Sequence, residues 1–393
     1  MTARKIPSDL AGIRHVEEST FGTDPGSGYL TLLTAQNIKF TPAVSMHPVG
    51  YQKSSDMRGP DADVVGGKGG TLSFDMPLCT EGGSEAPVMT MMKRCGMSIT
   101  SVAAGTGDIT GGDINGDTFT VAVANIGNLA VGVAVMHVPQ SGLPSLRFID
   151  AKSGTATITF TVNASLQVKA NAGDSWAAVD TIKASSGTPG AYNTFLVYQG
   201  QGSTDRLCWT LSGCAGTFKI NTTDANALPM VSFEFQVDTW ADSEANLARA
   251  AYAGNAPVPL LGDQLLINGT ATDTRSVGLD PAMAMSPIPA TSGTNGRSGF
   301  FYSGSEPNVE IAPLHDTAWL TKLEAGTTFD LMFSSVTSST NAWGFWCPKT
   351  QVSSYETADS DGLLRGGMKF RVLDPGADAA GTLIPRFAIA VTK

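Results

Sequence analysis

The sequence predicts a mainly β protein: two related β-barrel or β-sandwich domains in tandem, each with a short helix, the first carrying an inserted β-sandwich. Three observations predict it. First, Ile38 through Pro48 aligns without a gap on Val277 through Pro287, an offset of 239, with Pro42 on Pro281, Ala43 on Ala282 and Met46 on Met285. Second, the offset is 236 where Pro77 meets Pro313 but 135 where Phe235 meets Phe370, so the first copy holds about 101 residues that the second lacks. Such self-similarity marks repeated structural units and an assembly geometry. Third, apolar and polar residues alternate in many short runs broken by glycine, the pattern of half-buried strands.

In chain order, residues 1–28 are polar, carry Gly22, Pro25, Gly26 and Gly28, and lack strong periodicity. They read as an N-terminal arm, either disordered or ordered by a neighbour. The first domain takes residues 29–97 and 203–245. In it Leu72, Phe74, Met76 and Leu78 alternate with Ser73, Asp75 and Pro77 as one half-buried strand. Val231, Phe233, Phe235 and Val237 alternate with Ser232, Glu234 and Gln236 as another. Between Tyr29 and these strands, the polar stretch Gln52–Gly70 is too long for an ordinary hairpin connection, and long loops in compact domains are functional or disordered. A helix is expected from Ser84 to Cys95: Pro87 suits its first turn, Val88, Met91, Met92 and Cys95 share one face, and Gly96 stops it.

Residues 98–202, poor in charge and rich in glycine, have the turn spacing of a small immunoglobulin-like sandwich and coincide with the excess in the first copy. An outward-facing inserted domain is the expectation, because insertions are tolerated at exposed loops. A helix-like piece, Ser243–Tyr252, and a linker, 246–259, lead to the second domain, 260–393. Its helix is expected over Asp316–Ala325, with Asp316 as cap and Trp319, Leu320 and Leu323 on one face.

With 25 basic and 35 acidic residues the chain is formally −10, the wrong sign for gripping nucleic acid by its phosphates. Only 15% of residues are charged, which fits a turn-rich β protein with extensive subunit contacts. The cysteines Cys79, Cys95, Cys208, Cys214 and Cys347 are odd in number and lack CxxC spacing, so reduced, mostly buried thiols are expected, not disulfides or a zinc site. No apolar run follows Arg4 and Lys5, and no stretch reaches the roughly 18 apolar residues of a membrane span. A soluble, unsecreted protein without a membrane anchor is therefore expected.

No residue is assigned a catalytic, cofactor-binding or metal-binding role. His15, His47, His137 and His315 lie in no catalytic or metal spacing, and HExxH, P-loop, GxSxG and helix-opening GxGxxG patterns are absent. His47 falls on Ser286 of the other copy and reads as a turn residue. Asp113, Asn115 and Asp117 have the DxNxD opening of a calcium loop, but Thr118 stands in place of its glycine and Ala124 in place of its bidentate acid, so a β-turn is the better reading. The cluster Trp343-Gly344-Phe345-Trp346-Cys347 reads as core or interface packing, with a sugar-stacking platform as the alternative.

Three runs carry a family resemblance: Gly69 through Leu78, then Pro87 and Met91-Met92-Lys93-Arg94-Cys95-Gly96, and finally Cys208 through Ile220 leading to Pro229 through Phe235. In order and spacing they resemble the tail tube proteins of long-tailed bacteriophages. The resemblance covers 20–97 and 205–240, and 260–393 more loosely through the repeat. Cys214-Ala215 stands where the family pattern has arginine, and the insert and second domain are extra.

The resemblance implies a structural virion protein and not an enzyme. In that family, β domains flanked by a helix join their sheets across subunits into closed rings, and stacked rings form a hollow tail tube through which the genome is ejected. It implies self-association, with three chains forming a pseudo-hexamer in preference to six chains. It also implies ring stacking through the 1–28 arm and the Gln52–Gly70 loop, contacts with other tail proteins, and assembly in the host bacterial cytoplasm. An acidic lumen would let DNA slide without sticking. Two readings stand beside this one: another tail part of the same fold, such as a terminator, distal ring or hub, and a carbohydrate- or receptor-binding module using the insert and the Trp343–Trp346 cluster.

Overall fold

The computed structural model describes residues 11–32, 34–47, 64–78, 86–105, 108–113, 115–122, 128–155, 157–184, 192–199, 207–224, 227–243, 264–293, 295–314, 318–360, 363–378 and 381–393. Among them the protein is mainly β, with two short helices. The chain starts with β1 (Ala11–Glu17), β2 (Leu30–Thr31), β3 (Gln36–His47), β4 (Val64–Pro77), α1 (Pro87–Arg94) and β5 (Met97–Val102). Then come β6 (Ile109–Gly112), β7 (Thr118–Ala122), β8 (Ala134–Val138), β9 (Ser145–Ser153), β10 (Thr157–Val162) and β11 (Ser175–Ala177). Next are β12 (Val179–Ala184), β13 (Asn193–Gln199), β14 (Leu207–Asp224), β15 (Met230–Val237) and β16 (Thr239–Ser243). The remainder holds β17 (Gln264–Ile267), β18 (Thr270–Thr272), β19 (Thr274–Asp280), β20 (Met283–Pro289), β21 (Arg297–Ser305), β22 (Asn308–Pro313), α2 (Ala318–Glu324), β23 (Thr328–Ser338), β24 (Asn341–Ser360), β25 (Leu363–Val372) and β26 (Ala388–Thr392).

Alternation in sequence becomes burial in register. Leu72, Phe74 and Met76 on β4 lie opposite Phe235, Phe233 and Val231 on β15, all six in the core. Side chains alternate between faces along a strand, so Ser73, Asp75, Ser232 and Glu234 take the far side. Helix α1 spans Pro87–Arg94, inside the expected Ser84–Cys95, with Pro87 in its first turn, and buries Val88, Met89, Met91 and Met92. It stops because Gly96 adopts φ +81°, and a Cβ there would meet the Tyr302 ring at 2.5 Å.

The two copies repeat one pairing scheme. In the first, an antiparallel layer runs β3–β4–β15–β14, with Phe40 opposite Leu72 and Leu72 opposite Phe235. In the second it runs β19–β22–β25–β24, with Leu279 opposite Val309 and Val309 opposite Phe370. The other layers correspond as well: β2–β1–β13–β14–β16 matches β18–β17–β23–β24–β26. The long strands β14 and β24 belong to both layers of their copies. One apolar cluster fills the space between layers and continues through both copies. Register places Leu72 on Val309, one residue away from the alignment through Pro77 and Pro313.

β14 also pairs with β19, Ile220 opposite Leu279 and Thr223 opposite Val277. The chain thus builds one eight-strand antiparallel sheet in the order β3–β4–β15–β14–β19–β22–β25–β24.

Several expectations need correction. Residues 11–28 are no free arm: β1 pairs with β13 and β2, and Ile13, His15 and Glu18 are buried. Val64 to Gly70, assigned to a loop, belongs to β4, while 48–63 lie outside the described residues. The separate sheet of the insert, order β11–β8–β9–β10–β7–β6, occupies only 109–177. Within the expected range 98–202, β5 and β12 pair with each other and β12 with β26, while β13 pairs with β1 and β14. The helix-like piece after Ser243 and the linker 246–259 also lie outside the described residues, as does Asp316.

The insert shares its core. β9 crosses from a ladder with β8 to a ladder with β10, and the apolar residues of both ladders form one cluster. That cluster also takes in Leu266, Met332, Trp346, Ala388 and Ala390 from the second copy. Phe148 stacks on Trp346 with ring centroids 5.7 Å apart. Strands β23 and β24 are therefore covered on both faces: Leu331 and Phe345 enter the central cluster, Met332 and Trp346 the cluster under the insert.

Candidate assembly surfaces

The eight-strand sheet turns one face to the core and one away from it. Along the far face a hydrogen-bonded chain crosses four strands: Asn37 donates to Asp75 at 2.7 Å, Ser232 donates to Asp75, and Asn221 donates to Ser232 at 2.8 Å. It resumes across the junction of the copies, where Thr222 donates to Glu310 at 3.1 Å and Lys369 pairs with Glu310 at 2.9 Å. Lys219 and Asp280 oppose each other across β14 and β19 at 3.7 Å. The hydrogen bond from Lys369 holds the Glu310 carboxyl below its usual range. The face is mixed in charge and not uniformly acidic, with Lys39, Lys219, Lys369 and Arg371 among Asp75, Glu234, Asp280 and Glu310.

A second surface forms where the β20–β21 hairpin of the second copy rests on the first copy. Tyr302 donates to the Gly216 carbonyl at 2.7 Å, and Tyr192 exchanges hydrogen bonds with the Phe300 backbone at 3.1 and 3.2 Å. Arg297 pairs with the buried Asp238 carboxylate, and Asn295 donates to the Asp238 carbonyl at 2.7 Å. Phe21 packs edge-on against Tyr192 with centroids 4.6 Å apart.

The residues weighed for chemistry are placed as follows. His15 is buried, and burial, followed by the nearby Arg94 charge, pushes it down to about 4. His47 ends β3, and His315 lies outside the described residues. His137 meets Asp174 at 2.9 Å, a pairing across 37 positions that no spacing rule reveals. Burial works against the Asp174 carboxylate, but bonds from the Asn171 and Gln140 N–H groups and from His137 hold it low. Both partners are almost fully buried, and the pair ties down a turn of the insert.

Asp113 Oδ1 accepts from the N–H groups of Gly116, Asp117 and Thr118, the capped turn expected in place of a calcium loop. Among the described residues, no group of three or more His, Cys, Asp or Glu is arranged to hold a metal ion. Trp343, Phe345 and Trp346 are buried, which leaves no exposed platform for a sugar. Burial pushes the thiols of Cys95, Cys208, Cys214 and Cys347 up, so none is a poised nucleophile, and Cys79 lies outside the described residues. Among the described residues no helix is long and apolar enough to cross a membrane. No protein-family model and no curated protein matches the chain.

Proposed function

We propose that the chain is a structural protein that associates edge to edge into closed rings, and that the rings stack into the tail tube of a long-tailed bacteriophage. The observation that carries this reading is the continuous eight-strand sheet built from two repeated four-strand units, with a long strand at each end. β3 is 12 residues long, pairs only with β4 among the described strands, and exposes Val44 and Met46. An exposed edge of that length is a template for pairing with another chain.

The tail-tube resemblance implies a ring of six β domains, and two units per chain supply them from three chains, a pseudo-hexamer. The far face of the sheet is the proposed wall of the lumen. Its lysines stand beside carboxylates, which lowers the charge available to grip a phosphate backbone. Electron microscopy and native mass measurement of the purified protein test the reading. Rings of three chains, alone or stacked, are the expected result; six chains per ring refute the stoichiometry, and a protein that stays monomeric at every concentration refutes the function.

A further inference from the structure

The junction between the copies inside one chain is a template for a junction between chains. Inside the chain, β14 lies antiparallel to β19, and Ile220, Leu279 and Val277 are sealed in the core there. By the shared pairing scheme, β24 of the second copy corresponds to β14, and β3 of the first copy corresponds to β19. From Val352 onward β24 pairs only with β25 among the described strands, as β3 pairs only with β4. These two edges are the ends of the eight-strand sheet.

Register can be transferred strand by strand. Ile220 lies opposite Val231, and its counterpart opposite Gly366 is Thr357. Leu279 lies opposite Val309 as Phe40 lies opposite Leu72. We propose that β3 of one chain pairs antiparallel with the C-terminal half of β24 in a second copy of this chain, with Phe40 opposite Thr357 and Thr41 opposite Glu356. The proposal rests on the reading of the chain as a ring-forming protein and specifies the seam.

Burial supports the assignment. Phe40 is only partly buried at the open end, whereas its counterpart Leu279 is 0% exposed at the closed junction. Addition of a strand beside Phe40 completes the same enclosure, and it brings Tyr355, another partly buried residue facing the core, within diagonal reach. On the far face, Lys219 and Asp280 bridge the internal junction. At the seam Glu356 takes the place of Lys219, diagonal to Lys39, so opposite charges again meet across the strands.

The hairpin contact points the same way. In the first copy α1 buries Val88, Met89, Met91 and Met92, and Gly96 just past its end abuts Tyr302 of the docked hairpin, but α2 buries Trp319 and leaves Leu320 42% exposed. The first copy's own hairpin exposes Met46, the counterpart of Met285, at 54%. One difference is built in. A Cβ on Gly278 would lie 2.8 Å from the Thr222 backbone, and β3 has Lys39 at that position, so the seam requires a wider bulge at 358–359.

The test uses full-length protein. Phe40→Cys and Thr357→Cys chains are prepared separately, mixed and oxidised. A disulfide-linked pair in the mixture, absent from either variant alone, is the expected result. Thr41→Glu places a carboxylate opposite Glu356 and is expected to abolish the rapidly sedimenting assemblies, and adding Glu356→Lys to it is expected to restore them. If the wild type assembles while the mixture gives no disulfide, the seam is wrong and ring formation stands by other contacts. If Thr41→Glu misfolds by circular dichroism, the disulfide alone decides. If the wild type never assembles, the seam falls together with the ring reading.

Discussion

Asp330 is a side chain whose ionisation opposes folding. It sits in β23 beneath the insert, accepts a hydrogen bond from the Trp346 indole at 2.8 Å, and is pushed up to about 7 by burial, with the Asp150 charge adding to the effect. A carboxyl whose folded pKa is raised destabilises the fold when ionised. The cost is absent below the unfolded value of about 4, grows as pH rises towards 7, and is complete above it. Asp330→Asn keeps an acceptor for Trp346 and removes the charge. It is expected to raise the melting temperature at pH 8, by a free energy of roughly 2–4 kcal/mol at about 1.4 kcal/mol per pKa unit. Near pH 4 the gain should vanish. Calorimetry at both pH values checks this, and an equal shift at the two would contradict it. None of this was legible in the sequence, because the burial comes from an insert about 180 residues earlier in the chain.

The elements whose pattern is local were legible. β4, β15 and α1 were readable from alternation, from Pro87 and from Gly96, since each buries one face against whatever partner is nearest. β1 was missed because its polar segment is ordered by distant groups: Glu18 accepts from Thr194 at 2.7 Å and from the Gly213 N–H at 2.8 Å. The β20–β21 hairpin has the same dependence, held on the first copy by Arg297 and the almost fully buried Asp238. Arg297→Ala leaves that carboxylate without its ion-pair partner and is expected to cost about 3 kcal/mol in denaturant unfolding. Arg297→Lys should recover part of the loss. A neutral Arg297→Ala result would mean that Tyr302, Asn295 and the Tyr192–Phe300 hydrogen bonds hold the hairpin without the ion pair.

For the whole molecule, the shared core decides what can be removed. A guest with a private core could be excised, but the second copy buries Leu266, Met332 and Trp346 beneath this insert. Replacing residues 103–178 by a short Gly-Ser bridge would return those side chains to water, at about 1.5–3 kcal/mol for each large apolar one. Insoluble or markedly destabilised protein is the expected outcome. A deletion variant that melts like the full chain would show that the two cores are separable. The strands β5 and β12 that root the insert also extend the second copy's layer through β26, so the cut must leave both in place.

By itself the sequence determined the β class, the faces of the main strands and the repeat to within one residue of register. These follow from side-chain period and turn chemistry within a few residues. Tertiary structure alone decided that the repeats join through β14 and β19, that the supposed arm is a paired strand, that His137 finds Asp174, and that the insert's core belongs partly to the second copy. Strand pairing and shared burial depend on which distant segments meet. A one-residue change of register moves every side chain to the other face, and only the closed packing of the whole chain selects between such alternatives.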